Sequence, residues 1–353
     1  MNLSKEEKIK QFDPNGIGLR NNNFIGLPFS SEDAEVILLP VPWDVTVSFK
    51  EGTSTAPENI RHCSPQLDLY DYDVKNAWKI GIHLLPTNAD ILEKSEKYRK
   101  KAVEYIDFLE NGGTLTNNKA MLQSLKEINE ACSETKNWVA GESKNWLDKN
   151  RIVGVVGGDH SSPLGLIEAL SERHKNFGIL HIDAHMDLRE AYEGFTYSHA
   201  SIFYNALGYE AVSKLVSVGV RDFCEMEKNL VKQSDDRIKV FYDHKIQNAI
   251  FEGGSFSSIA KTIVKELPKK VYVSFDIDGL EPNMCPNTGT PVPGGLKIQE
   301  AFYLLNTLVN SGRKIIGFDL CEVAGEGNDW DGNVGARVLY KLCNLAAKSN
   351  DRH

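Results

Sequence analysis

Three short polar clusters, each directly behind an apolar run, carry the residue types that hold metal ions. Asp183, His185 and Asp187 follow the run that begins at Phe177, and His160 closes Gly157-Gly158-Asp159-His160-Ser161 behind Ile152 to Val156. The third cluster is Ser274-Phe275-Asp276-Ile277-Asp278-Gly279. Side chains at i and i+2 of an extended chain point the same way, so Asp183 and His185, and again Asp276 and Asp278, can converge, with Asp187 closing from the turn that follows. A single acidic residue behind a strand more often solvates a loop or caps a helix, and a lone Gly-Gly-Asp-His is a weak signal. Three such clusters together are not explained that way. Two histidines and four aspartates give six hard or borderline ligands with four negative charges. That set suits two divalent cations sharing carboxylates, whereas one zinc needs only about four ligands. The chemistry such a pair supports is hydrolysis, because it makes a strong nucleophile from water at neutral pH.

Strand ends must bring the clusters together. Apolar runs at 36–41, 80–85, 152–156, 177–183, 215–220, 238–242, 271–276 and 315–320 predict eight strands. Helices are expected from about Glu58 and near 162–173, 199–207, 256–267, 297–311 and 334–347. The alternation predicts an α/β fold, a three-layer αβα sandwich with a mostly parallel central sheet. In such sheets ligands sit beyond the carboxyl ends of the strands, where all three clusters fall. Residues 91–147 read as mostly helical with a break at Gly112-Gly113, and the stripe Met121, Leu125, Ile128 and Cys132 is expected to pack on the body or on a neighbouring subunit. Residues 1–34, rich in Asn, Gly and Pro, read as an N-terminal arm covering a single domain at 35–353 rather than as part of its core.

Composition narrows the function classes. The chain has 353 residues, 41% hydrophobic and 25% charged, and no apolar stretch nears the roughly 20 residues of a membrane span. The N-terminus lacks the apolar segment of a secretory signal, so a cytoplasmic location is expected. A net charge of -9 argues against nucleic-acid or anionic-membrane partners and suits a cationic substrate. Cys63, Cys132, Cys224, Cys285, Cys321 and Cys343 show no short paired spacing, which indicates neither a disulfide framework nor a zinc ribbon.

Gly-Gly-Asp-His-Ser at 157–161, Asp-Ala-His-Met-Asp at 183–187 and Ser-Phe-Asp-Ile-Asp-Gly-Leu-Glu-Pro at 274–282 match, in order and spacing, the metal motifs of the ureohydrolases, the family of arginase and agmatinase. The resemblance begins near Val36 and runs on through 286–296 and Gly317-Phe-Asp-Leu-Cys-Glu-Val323, so it covers most of the chain. It implies an arginase-like fold and a hydrolase that opens a C-N bond of a linear amidine, releasing urea from a guanidino substrate. It also implies two metals, usually manganese with nickel as the alternative. Asp183 and Asp276 would bridge them, with His160 and Asp187 on one and His185 and Asp278 on the other. Glu322 matches the carboxylate that pairs with the guanidinium, and His199 matches the proton-shuttling histidine, whose near-neutral titration suits exchange with the departing amine. Asp187 is the relay between the attacking water and the leaving nitrogen. Homo-oligomers, trimers or hexamers, are implied too.

The substrate tail is read at other positions. The stretch from Asp187 to His199 looks most like agmatinases, which makes agmatine the expected substrate, cut to putrescine and urea. Arginases carry Asn where Arg189 stands and a second Asp where Cys224 stands, which counts against arginine. Arg189 and Asp222 are expected on one side of the pocket and the acidic loop 324–331 on the other, where the family commonly has a small residue and Pro. Arg189 is expected to pair with Glu190 or Asp222, or else to grip a carboxylate, as in hydrolases of guanidino acids or formiminoglutamate. Guanidine hydrolysis and a non-catalytic metal-binding homologue are the remaining alternatives. Retention of all six ligands with His199 and Glu322 argues against the last.

Overall fold

The computed structural model describes residues 3–352, which form one eight-stranded sheet. Its strands are β1 (Val36–Val41), β2 (Ile82–Leu84), β3 (Ile152–Gly157), β4 (Phe177–Ile182), β5 (Val212–Val220), β6 (Ile238–Tyr242), β7 (Lys270–Asp276) and β8 (Lys314–Cys321). All neighbours pair in parallel, in the order β2-β1-β3-β8-β7-β4-β5-β6. Parallel strands need crossovers, and the chain supplies helices for them: α1 (Lys5–Gln11), α2 (Ala56–Cys63), α3 (Ala89–Glu110), α4 (Lys119–Asp148), α5 (Leu164–Arg173), α6 (Ile202–Ala206), α7 (Glu225–Gln233), α8 (Asp243–Phe251), α9 (Phe256–Lys265), α10 (Ile298–Asn310) and α11 (Asp329–Ser349). Both sheet faces are covered. Val36, Leu38, Val271 and Phe318 face one apolar layer, and Val41, Val153, Ile179 and Tyr272 face the other.

The strand order decides the function. Strands β3, β8, β7 and β4 are immediate neighbours at the centre of the sheet, and the three expected metal clusters and Glu322 follow their carboxyl ends. Sequence positions from 157 to 322 therefore meet on one edge.

Helices α1, α7 and α8 were not expected, because each is short, from seven to nine residues, and too brief for a helical period to show. Glu227 builds a capping box at the start of α7, accepting from the Cys224 amide at 2.9 Å. The helical stretch beyond strand β2 is a hairpin of α3 and α4, turning where Gly112 adopts φ 81°. Its stripe packs on its own chain, with Ile128 and Cys132 buried against the layer that includes α5. The first 34 residues do more than cover the domain. Phe24, Ile25, Leu27 and Phe29 are buried in the core, and Asn23 ties them to β2 by accepting from the Leu84 amide at 3.0 Å. These apolar residues lack a helical or alternating period, so an Asn-rich context hid them.

Candidate metal centre and active-site cavity

His160, placed by β3, and His185, placed by the turn after β4, head two groups of ligands. His160 Nδ1 lies 3.0 Å from Asp183 Oδ2, 3.0 Å from Asp187 Oδ2 and 3.3 Å from Asp276 Oδ2. His185 Nδ1 lies 3.3 Å from Asp183 Oδ1 and 3.2 Å from Asp278 Oδ2. Asp183 thus presents one oxygen to each group. Asp187 reaches back toward His160 only because its backbone turns left-handed, φ 52°, a conformation that L residues adopt at a cost.

The glycines before His160 serve a different purpose from the tight turn expected of them. Neither Gly157 nor Gly158 has a positive φ. A Cβ on Gly158 would stand 2.0 Å from the Trp43 carbonyl oxygen, and one on Gly157 would stand 2.4 Å from Cys321 Sγ. They are small because the backbone of Trp43, just beyond β1, and a side chain of β8 press against them.

A second ring of partners was not foreseen. His181, fully buried two residues before Asp183 on the same face of β4, stands 2.7 Å from Asp183 Oδ2 through Nε2 and 3.0 Å from Ser217 Oγ through Nδ1. His160 Nε2 meets Ser274 Oγ at 2.9 Å, and Ser274 and Tyr272 both donate to Asp319 at 2.7 Å. Such contacts fix ring orientation and ligand basicity. The signal for His181 was a polar residue inside an otherwise apolar buried strand.

The charge balance tests whether cations fit. Among the described residues, no Lys or Arg pairs with Asp183, Asp187, Asp276 or Asp278; histidines alone face them. Burial, then the repulsion of Asp183, pushes the Asp187 carboxyl up to about 6. Burial and the neighbouring Asp278 and Asp183 push Asp276 well up. Burial opposes charge on His160 and His185 as well, but the carboxylates around them outweigh it and raise both well above the ordinary value. Asp183 goes the other way, since its three histidines overcome its burial and hold it ionised. Among the described residues, only protons on these groups neutralise the cluster. Divalent cations would do so with the donors already in place: possible ligand atoms lie within 4.8 Å of one another in His160, His181, Asp183 and Asp187, in Asp183, His185 and Asp278, and in His160, Asp319 and Cys321.

These groups form the floor of a cavity of about 390 Å³, with Asp183 beneath it. Glu322, at the end of β8, is buried and left-handed, φ 61°. Its Oε1 accepts the His160 amide at 3.0 Å, while Oε2 makes no hydrogen bond among the described residues. Burial, then the charge of Asp159, raises its carboxyl well above the ordinary range. His199 stands half-buried on the wall with Nδ1 unpartnered. Burial, then the charges of His185 and His160, pushes its ring down to about 3, so this surrounding keeps it neutral rather than titrating near neutrality.

Arg189, Asp222, Tyr192, Phe49 and Phe223 complete the wall. Arg189 pairs with neither Glu190 nor Asp222; its guanidinium lies over the Tyr192 ring, 4.6 Å from the centroid. Asp222 is exposed and forms no ion pair among the described residues. The acidic loop does not reach this cavity. Asn59 on α2 donates to the carbonyls of Ala324, Gly325 and Asn328 at 2.8, 2.9 and 3.0 Å and turns the loop away, so Glu326 and Asp329 line a separate cavity beside Glu58 and Arg61.

Comparison with known proteins agrees with this geometry. The arginase-family profile matches residues 34–344. The N(1)-aminopropylagmatine ureohydrolase of Thermococcus kodakarensis is 31% identical over 322 residues, spanning 90% of this chain and 92% of its own length. The agmatinase of Pyrococcus horikoshii is 26% identical over 321 residues, spanning 90% and 94%. In fold, the crystal structure of a hypothetical agmatinase from Burkholderia thailandensis superposes with a TM-score of 0.70 at 21% identity, over 100% of both chains. The chain belongs to the arginase family, whose ureohydrolases cleave C-N bonds in linear amidines. Members of this family depend on a dinuclear metal centre, and the buried His and Asp groups are of the kind that could bind one. None of the chain's helices among the described residues is long and apolar enough to cross a membrane.

Proposed function

We propose that this ureohydrolase acts on agmatine or an N-substituted agmatine, releasing urea and the corresponding amine. The observation that carries the reading is one cavity with Glu322 and the metal-ligand groups at its floor and an unpaired carboxylate, Asp222, at its mouth. A cation with charge at both ends suits acids at two places on one cavity, and the names of the relatives point to the same substrate class. The ammonium reader is Asp222, in place of the acidic loop 324–331.

In this reading His160, Asp183, His185, Asp187, Asp276 and Asp278 would hold two divalent ions, manganese or nickel. Two such ions supply a nucleophile at neutral pH by lowering the pKa of water. The free Oε2 of Glu322 pairs with the guanidinium and turns its carbon toward the floor, which removes rotational freedom before reaction. Water adds its oxygen to the carbon, the C-N bond to the alkyl chain breaks, and Asp187 carries the proton from water to the leaving nitrogen. His199, on the cavity wall, relays a second proton from solvent to that nitrogen, so the amine departs as an ammonium while water's other proton returns to solvent.

Arg189 on the wall favours a second reading, a guanidino acid held by its carboxylate. One experiment separates them. Manganese- and nickel-loaded protein is offered agmatine, N(1)-aminopropylagmatine, arginine, guanidinobutyrate, guanidine and formiminoglutamate, with urea, ammonia and formamide measured. Urea from an agmatine is the expected result, and turnover confined to guanidinobutyrate replaces it by the second reading. A cytoplasmic location and assembly into trimers or hexamers belong to the same proposal, supported by six free thiols and by the exposed Tyr70 and Tyr72. Light scattering reads the assembly.

A further inference from the structure

The two loops that face each other across the cavity mouth are both fastened to the α3–α4 hairpin, which itself contributes nothing to the cavity wall. The first loop, 43–51, brings Ser48 and Phe49 to the mouth, with Phe49 77% exposed. Arg99 on α3 holds it, donating from Nη1 to the carbonyls of Val45 and Val47 at 3.2 and 2.6 Å and from Nε to Glu51 at 2.9 Å. The second loop, 189–199, brings Arg189, Tyr192 and His199. Asn129 on α4 holds that one with both ends of its amide: Nδ2 donates to the Gly194 carbonyl at 3.1 Å, and Oδ1 accepts the Thr196 amide at 2.9 Å.

The contact continues below these polar ties. Gly194 approaches so closely that a Cβ there would lie 3.1 Å from both Tyr105 Oη on α3 and Leu125 Cδ2 on α4, and the Tyr105 and Phe195 rings sit 5.3 Å apart. The two loops also meet each other, since the backbone of Thr46 faces His199. A stretch of chain with no metal ligand therefore sets the separation of Phe49 from Arg189 and Tyr192.

We propose that the α3–α4 hairpin fixes the width of the substrate mouth, with Asn129 and Arg99 as positioning residues that act on binding and leave the chemical step alone, because His199 is held separately by the Ser198-capped turn and by the Arg189 amide on the Ala200 carbonyl. The inference rests on the ureohydrolase reading of the cavity. Loops are the low-stability part of such a site, and removing the two or three hydrogen bonds by which Arg99 and Asn129 tie each one to the hairpin spreads the wall residues over several positions before substrate arrives. The floor, built on four central strands, keeps its geometry.

Asn129→Ala and Arg99→Ala should each raise KM about fivefold or more while kcat stays within about twofold and metal content is unchanged. Arg99→Lys keeps a donor for the carbonyls and should restore most of the lost affinity. Lys126→Ala, on an exposed face of the same helix, is the control and should match the wild type. Unchanged KM in both alanine variants overturns the proposal, and so does a fall in kcat or metal content without a rise in KM. If the wild type turns over no guanidino compound, the functional reading falls and amide exchange decides this one. Faster exchange confined to 190–199 in Asn129→Ala then upholds the clamp, and unchanged exchange there removes it.

Discussion

Glu322 shows how much a single residue is constrained. It holds a left-handed backbone, its amide donates to the Gly158 carbonyl at 2.8 Å, and one carboxylate oxygen is taken by His160. Such strain persists only where the surroundings impose it, and here it aims the remaining oxygen into the cavity. Glu322→Gln should keep the His160 contact and both metals, yet lose at least ~2 to 3 kcal/mol of transition-state stabilisation, a fall in kcat/KM of roughly 30- to 150-fold. Undiminished turnover would take Glu322 out of the mechanism. Glu193 allows a test of stability instead. Burial, then the charge of Glu110, pushes it up to about 7 from an ordinary 4.5, against the opposing pull of Arg99 and Arg189, and its Oε2 has no partner. The folded state therefore keeps its proton longer than the unfolded chain, and stability is lost as pH rises from about 4.5 through about 7. Glu193→Gln should raise Tm at pH 8 by more than at pH 5, and an equal shift at both would contradict the assignment.

Between elements, close approach replaces local conformational need. Gly158 joins the end of β3 to β1, donating to the Val41 carbonyl at 2.9 Å, and leaves no room for a methyl beside Trp43. Gly158→Ala must push β3 and β1 apart at the point where His160 and Glu322 are set. The expected outcome is a protein with lower Tm and reduced metal content; one that binds both metals normally would show that the strand ends can yield. Loops obey the same logic. Asn59 holds the acidic loop 324–331 over a different cavity. Glu326→Gln should thus leave the KM for agmatine unchanged, whereas Asp222→Asn should raise it, because a cationic tail loses its partner at the mouth. A reversed pair of results would restore the loop to the substrate pocket.

At the scale of the whole molecule, the sheet is assembled around buried carboxylates that only cations or protons neutralise. Metal binding should therefore stabilise the fold. A free ion concentration a hundredfold above Kd adds about 2.7 kcal/mol per site, and for a chain of this length that is a Tm rise of roughly 3 to 4 °C per site. Thermal melts with chelator and with graded manganese measure it. His181→Ala, which removes a partner of Asp183, should shift the curve to about 10- to 100-fold more manganese. Absence of any metal-dependent shift would mean that the cluster is neutralised by protons alone.

The sequence by itself determined which residues gather. Asp183, His185 and Asp187, like Asp276 and Asp278, declare themselves by alternation at the end of an apolar run, and a parallel sheet must bring such ends to one edge. The central strands were legible because buried strands read as continuous apolar runs, and the edge strand β6 because its apolar residues flank a single Lys239. What alternation cannot carry is contact between segments distant in the chain. Only the folded structure revealed that Gly158 is small because Trp43 presses on it, that Phe24 and Phe29 belong to the core, and that Arg189 lies on Tyr192 instead of pairing with an acid. The loop 324–331 looked like a substrate reader because acids follow Glu322 directly. Its direction was decided by Asn59, 265 residues upstream of Ala324, through hydrogen bonds that no local pattern records.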